Sequence, residues 1–226
     1  VFGCLPYYGL FDQNTVKAAI DAGYTYILTD SLTDRSVPKT VIRGDKRLIT
    51  MTKTARDDYQ VIRDLGLSSP EYQYYTYQED IDRILFEGGM YIFKLHTEYQ
   101  CKPENASVVG DVIKDLRKKN FWITTGSEIQ KWYSKKDFVE IRVERRGDTR
   151  IVLTISNPGN QQIDNLVVDV LLNDKAENIS VSTEIIGTKI PVIRHEKMSK
   201  NLQLLINNLN GEESRIYYID YDKVNV

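Results

Sequence analysis

Residues 88–132 read GGMYIFKLH, then TEYQCKPENASVVGDVIKDLRKKN, then FWITTGSEIQKW. The run at 90–95, bounded by Gly88 and Gly89, has the length and apolar character of a buried strand. His96 falls at its carboxyl end, the edge where α/β folds carry reactive side chains. Pro103 opens a helical pattern in which Val109, Val112, Ile113 and Leu116 share a face. Arg117, Lys118 and Lys119 bring cations to its last turn, where they suit the helix dipole. Residues 121–124 read as the next strand, and Ser127 can cap a short closing helix that carries Ile129 and Trp132. The expectation is a β-α-β-α unit with one histidine at a strand tip.

The same rhythm precedes this stretch. Residues 1–5 end a strand, and Pro6-Tyr7-Tyr8-Gly9 is its loop. Asp12 or Asn14 caps a helix that turns Val16, Ala19 and Ile20 inward and closes at Gly23. A strand at 24–28 then ends in Thr29-Asp30. Residues 31–45 read as a loop, 47–52 as a strand, and 55–65 as a helix closed by Gly66. Thr76 and Glu79 have the spacing of a capping box, starting a helix that buries Ile81, Ile84 and Leu85 and stops at Gly88. This order predicts a parallel sheet.

From residue 137 the apolar period falls to two. Strands are expected at 139–144, 150–155, 166–171, 179–185, 190–193, 202–206 and 215–219, with turns at Arg146-Gly147-Asp148 and Asn157-Pro158-Gly159-Asn160. That pattern predicts an immunoglobulin-like β-sandwich over 137–226, without the Cys-Trp core of antibody domains, after a first domain over 1–134.

Across 226 residues, Lys+Arg 30 against Asp+Glu 32 gives a charge of -2, which argues against a broad nucleic-acid surface. No run approaches the length of a membrane span. The chain starts at Val1 and runs straight into what looks like fold interior, so a preceding N-terminal segment is expected. Cys4 and Cys101 both fall near expected strand ends and could form a disulfide, but two cysteines are too few for a framework and read more simply as unpaired thiols. Asn105-Ala106-Ser107 and Asn178-Ile179-Ser180 fit the glycosylation pattern.

Three pieces, in order, resemble the later half of the polysaccharide deacetylase superfamily, the NodB-homology domain. LPYYGLFDQNTVKAAIDAGYTYILTD is similar to its Arg-x-Pro-Tyr-Gly segment with the following helix and Asp-ended strand. YIFKLH is similar to its late strand ending Leu-x-His, and DVIKDLRKKNFWITTGSEIQKW to its closing helix, strand and short helix. The resemblance covers residues 1–134 and implies part of a distorted (β/α) barrel. It implies metal-dependent hydrolysis of N-acetyl or O-acetyl groups on a polysaccharide or oligosaccharide, in an extracellular or cell-envelope setting.

Residue by residue, it makes His96 the general acid and gives the Tyr7 backbone amide to the oxyanion. Asp30, or else Asp34, tunes the site electrostatically, and Pro6 and Tyr8 contact substrate. Lys94 stands where the motif has Leu, Cys4 stands where it has Arg, and no Asp-Trp pair follows Asp30. The family's divalent ion, zinc, is held by one Asp and two His. This chain has two histidines, of which His195 lies in the expected sandwich, so no metal ligand is assigned here. The metal-binding half is expected upstream.

Amide hydrolysis needs an activated water, a stabilised oxyanion and a proton for the leaving amine. These residues offer the last and part of the second. Plainer roles stand beside the catalytic ones: His96 as a polar strand cap, and Tyr7 and Tyr8 as packing at a strand end. Tyr72, Tyr74, Tyr75 and Tyr77 could form a sugar platform or be ordinary tyrosines. Asp57-Asp58 reads as a solvated helix start, His195 as surface, and Arg117, Lys118 and Lys119 as a solvated helix end. Against the enzyme stands a non-catalytic carbohydrate-binding or structural protein on the same fold.

Overall fold

The computed structural model describes residues 3–30, 37–184 and 187–224. The chain divides into two compact units, Val1–Gln130 and Lys131–Val226. It is a mixed α/β protein with several sheets. In the first unit, β1 (Gly3–Cys4) leads through a loop to α1 (Gln13–Asp21), β2 (Tyr26–Asp30), β3 (Lys39–Arg43) and β4 (Lys46–Lys53). The sheet order is β1-β2-β4-β3. β1, β2 and β4 run parallel, and β3 is antiparallel to β4. Asp12 caps α1 in a reciprocal box with Thr15, and Ala19 and Ile20 pack on Ile27 and Leu48 of the sheet.

A second core lies where α2 (Pro70–Glu87) meets α3 (Ser107–Lys118). Val61, Tyr77, Ile81, Val108, Val112 and Leu116 form it. α4 (Gly126–Lys136) follows.

Several expectations are corrected. Residues 90–95 enter no ladder. β3, folded back from the stretch read as a loop, occupies the edge of β4 that does not face β2, so β4 offers that segment no partner. Tyr91 and Phe93 pack against the helical core instead, Phe93 edge-on to Tyr77 with ring centroids 5.0 Å apart. Residues 121–124 also lack a ladder: Asn120, at φ 59, ends the helix, and Phe121 donates its amide to Leu116 O at 3.0 Å. The helix expected at Thr76 starts earlier, at Pro70, whose fixed φ suits a first turn. Thr76 sits inside it and bonds back to Tyr72 O at 2.9 Å. The amide of Glu128 meets Thr125 Oγ1 at 3.3 Å, so Thr125 rather than Ser127 caps α4. The segment at 55–65 holds a wide i→i+5 turn at Tyr59–Asp64. Cys4 and Cys101 are both free thiols. Asn105 is buried and hydrogen-bonded through its amide, which leaves its glycosylation pattern without an open acceptor.

The second unit contains all seven expected strands, shifted by a few residues. They are β5 (Glu140–Arg145), β6 (Arg150–Asn157), β7 (Leu166–Leu171), β8 (Ala176–Ser182), β9 (Val192–His195), β10 (Asn201–Ile206) and β11 (Glu213–Lys223). They form antiparallel sheets ordered β5-β6-β11-β8 and β7-β10-β9. Alternation turns Leu153, Ile155, Val168, Val170, Leu202, Leu204, Tyr217 and Ile219 into one shared core. His195 is half-buried and bonded through Nε2 to Ser199 O at 3.0 Å, so it is not the free surface group expected.

Ile81→Ala, at a fully buried position, is expected to cost about 2–5 kcal/mol in chemical denaturation. Phe86→Ser on the same helix, where the ring is 93% exposed, is expected to cost less than about 0.5 kcal/mol. In the second unit, the Arg215 guanidinium clasps Glu213 and holds its carboxyl below the usual carboxylate range. A depressed native pKa gives stability that is present above the unfolded value and lost as pH falls through the native one. Acid unfolding of this unit should therefore move to lower apparent sensitivity in Glu213→Gln, read as a flatter fall in stability below about pH 4.

Candidate functional site

Parallel strands send their carboxyl ends the same way, and the polar groups of the first unit collect there. β1 ends at Cys4, β2 at Asp30 and β4 at Lys53. The loop after β1 makes a single tight turn at Tyr7–Gly9, closed by Gly9 N donating to Pro6 O at 2.8 Å. Tyr8 at φ 55 and Gly9 at φ 69 are both left-handed. Gly9 is buried against Asp30: a Cβ there would lie 2.7 Å from Asp30 Cβ, so both conformation and space demand glycine. The Tyr7 and Tyr8 rings stand 83% and 71% exposed, edge-to-face with centroids 4.3 Å apart.

Beside this loop lie alternating charges. Lys53 Nζ is 3.2 Å from Asp30 Oδ1 and 3.6 Å from Asp57 Oδ2. Lys94 Nζ is 3.6 Å from Asp30 Oδ2 and 3.5 Å from Asp57 Oδ2. Asp57 also accepts the amide of Gln60 at 3.0 Å, while Gln60 Oε1 accepts that of Asp57 at 3.0 Å.

Asp58 is fully buried and serves His96. Its Oδ1 is 2.5 Å from His96 Nδ1, and its Oδ2 accepts the amides of His96 at 2.6 Å and Gln100 at 3.1 Å. Such a carboxylate fixes the tautomer and orientation of the ring, leaving Nε2 as the nitrogen free to exchange a proton. Tyr59 and Tyr99 flank the ring at centroid distances of 6.3 and 6.1 Å. Behind it, buried amides lock the turn that follows. Gln100 Nε2 donates to Gln73 Oε1 at 3.2 Å and to Asn105 O at 2.7 Å, and Tyr77 Oη donates to Gln100 Oε1 at 2.9 Å. Arg56 braces the other side, donating its amide and Nε to Asp80 Oδ2 at 2.8 and 3.0 Å.

Of the residues singled out in the sequence, His96 and Asp30 lie on the carboxylate-rich side of this edge, and Pro6, Tyr7 and Tyr8 form the loop over Asp30. The carboxylate on His96 is Asp58, whereas Asp30 faces Lys53 and Lys94. Asp34 lies outside the described residues. Asp57 and Asp58 are buried, not a solvated helix start. The signal that could have found them is their place just past a strand end, the same rule that picked out His96. Tyr72 and Tyr75 are exposed on α2 while Tyr77 is buried, so the four tyrosines share no platform.

No group of three metal-ligating side chains occurs among the described residues. Asp30 and Asp57 each face two ammonium groups and Asp58 is fully used by three donors, so these residues do not fit a divalent ion.

No family model and no curated protein matches the chain. Solved structures do. A protein described as a polysaccharide deacetylase from Mycobacterium smegmatis matches with a TM-score of 0.52 at 19% identity, over 64% of this chain and 53% of that one. One from Pseudomonas aeruginosa PAO1 matches with 0.51 at 17% identity, over 61% and 48%. Puue allantoinase gives 0.49 at 17% identity, over 59% and 46%. The chain spans about half the length of the solved structures it matches. Its fold is similar, over part of its length, to that of the polysaccharide deacetylases.

Proposed function

We propose that the chain carries the proton-donating part of a carbohydrate deacetylase that hydrolyses N-acetyl or O-acetyl groups, on a partial (β/α) barrel followed by an immunoglobulin-like β-sandwich. One observation carries this: an imidazole at the carboxyl edge of a parallel sheet, held through Nδ1 by a carboxylate with no exposed surface. In this role His96 delivers a proton from Nε2 to the departing amine or alcohol as the tetrahedral intermediate collapses. Asp58 keeps the ring in place. The Tyr7 amide faces the oxyanion, Asp30 shapes the local field, and Pro6 and Tyr8 line the sugar. The divalent ion that the resemblance implies, zinc, would supply Lewis-acid chemistry and is not fitted by the described residues. It would be held by residues outside these 226, and the setting would be extracellular or the cell envelope.

A second reading, glycan binding without turnover, is favoured by the exposure of Tyr7 and Tyr8, since open aromatic faces suit sugar rings.

In the complete protein, His96→Gln is expected to lower acetate release from an acetylated chitin-type oligomer by roughly 10²–10⁴-fold. Retained turnover would remove His96 from the reaction, and binding with no turnover in the wild type would favour the second reading. Asp58→Ala leaves two buried amides and the ring nitrogen unanswered and is expected to cost on the order of 3 kcal/mol in denaturant titration.

A further inference from the structure

We propose that the Lys53 ammonium is a resident cation at this edge: it occupies the space between Asp30 and Asp57 and positions the Asp57-Asp58 turn against His96. Four oxygens surround Nζ: Ala55 O at 2.9 Å, Asp30 Oδ1 at 3.2 Å, Gln60 Oε1 at 3.3 Å and Asp57 Oδ2 at 3.6 Å. Two carboxylates, a carbonyl and an amide oxygen are a hard donor set of the kind that binds Mg²⁺ or Ca²⁺. The spacing, however, is that of an ammonium, since metal–oxygen bonds are about 2.0–2.6 Å. The side chain is only 7% exposed.

Backbone register builds the arrangement. Lys53 is the cross-strand partner of Asp30 in the parallel ladder, so the two side chains leave the sheet together at its edge. Asp30 Oδ1 is buried and makes no hydrogen bond among the described residues, with the Lys53 ammonium its charge partner. The lysine also spans the turn, reaching past Ala55 to Gln60, which exchanges hydrogen bonds with Asp57. The next residue is the carboxylate on His96. Lys53 is thus a positioning residue acting through Asp57 and Asp58, and it takes up the charge of carboxylates that could otherwise ligate a metal. The inference rests on this geometry and not on deacetylation.

Nitrogen-15 NMR of lysine side chains in the 226-residue chain tests it. A caged ammonium exchanges its protons slowly, so the wild type is expected to show a sharp Nζ resonance near neutral pH that Lys53→Arg removes. If no slow resonance belongs to Lys53, the cage is refuted. In Lys53→Ala, the His96 ring resonances are expected to move, and ethylammonium should return them toward wild-type positions while tetramethylammonium at equal ionic strength does not. Unmoved ring signals, or equal responses to both salts, overturn the positioning role. Mn²⁺ should leave the wild-type Lys53 resonance sharp. Bleaching that Asp57→Asn relieves would mean that the carboxylates take a metal in place of the lysine. Should Lys53→Ala fail to fold, the wild-type resonance and the Mn²⁺ titration still decide.

Discussion

A carboxylate with no exposed surface needs its lone pairs answered from within the protein, and Asp58 has three answers: the His96 ring, the His96 amide and the Gln100 amide. This constraint ties the turn after β4 to the segment at 96–100, which no ladder bonds join to the sheet. Residues 90–96 are held by packing, by Lys94 on Asp30 and Asp57, and by this carboxylate in place of a strand partner. The ring is consequently oriented from two directions, through its own backbone and through its Nδ1.

Around that point, the parallel register supplies the charges. Strands that end together bring Asp30 beside Lys53, and Lys94 and His96 address Asp57 and Asp58 respectively. Three carboxylates and two ammoniums occupy a small volume, each carboxylate with named donors or cations. Arg56 on Asp80 and the Gln73–Gln100–Asn105 amides fix the two flanks. Such networks gain rigidity as their members are satisfied by one another.

Much of this was legible in the sequence. Periodicity marks α1, β2, β7, β10 and β11, whose buried residues recur at the spacing of one face, whereas β4 is buried on both faces from Leu48 to Lys53 and β5 alternates in sequence while staying exposed. His96 is legible because a lone imidazole after an apolar run is conspicuous. Residues 90–95 pair with no strand because an apolar run reports burial and not pairing, and the hairpin edge that β3 takes lies in a polar stretch with no apolar period. The burial of Asp57 and Asp58 is not legible locally, because acids at a helix start are commonly solvated. What buries them is tertiary: the 96–100 turn and Lys53, both set by contacts distant in sequence. At the start of α2 the sequence carries two competing signals, the capping-box spacing at Thr76 and Ser69-Pro70, and the fold uses the second.

Asp58 holds the imidazole of His96 by Nδ1 and leaves Nε2 for chemistry. Long-range proton–nitrogen NMR of the two histidine rings tests it most directly. Neutral His96 is expected to be the Nδ1–H tautomer, with a far-downfield Nδ1 proton that vanishes in Asp58→Ala. A neutral His96 ring carrying its proton on Nε2, with no such signal, would contradict it.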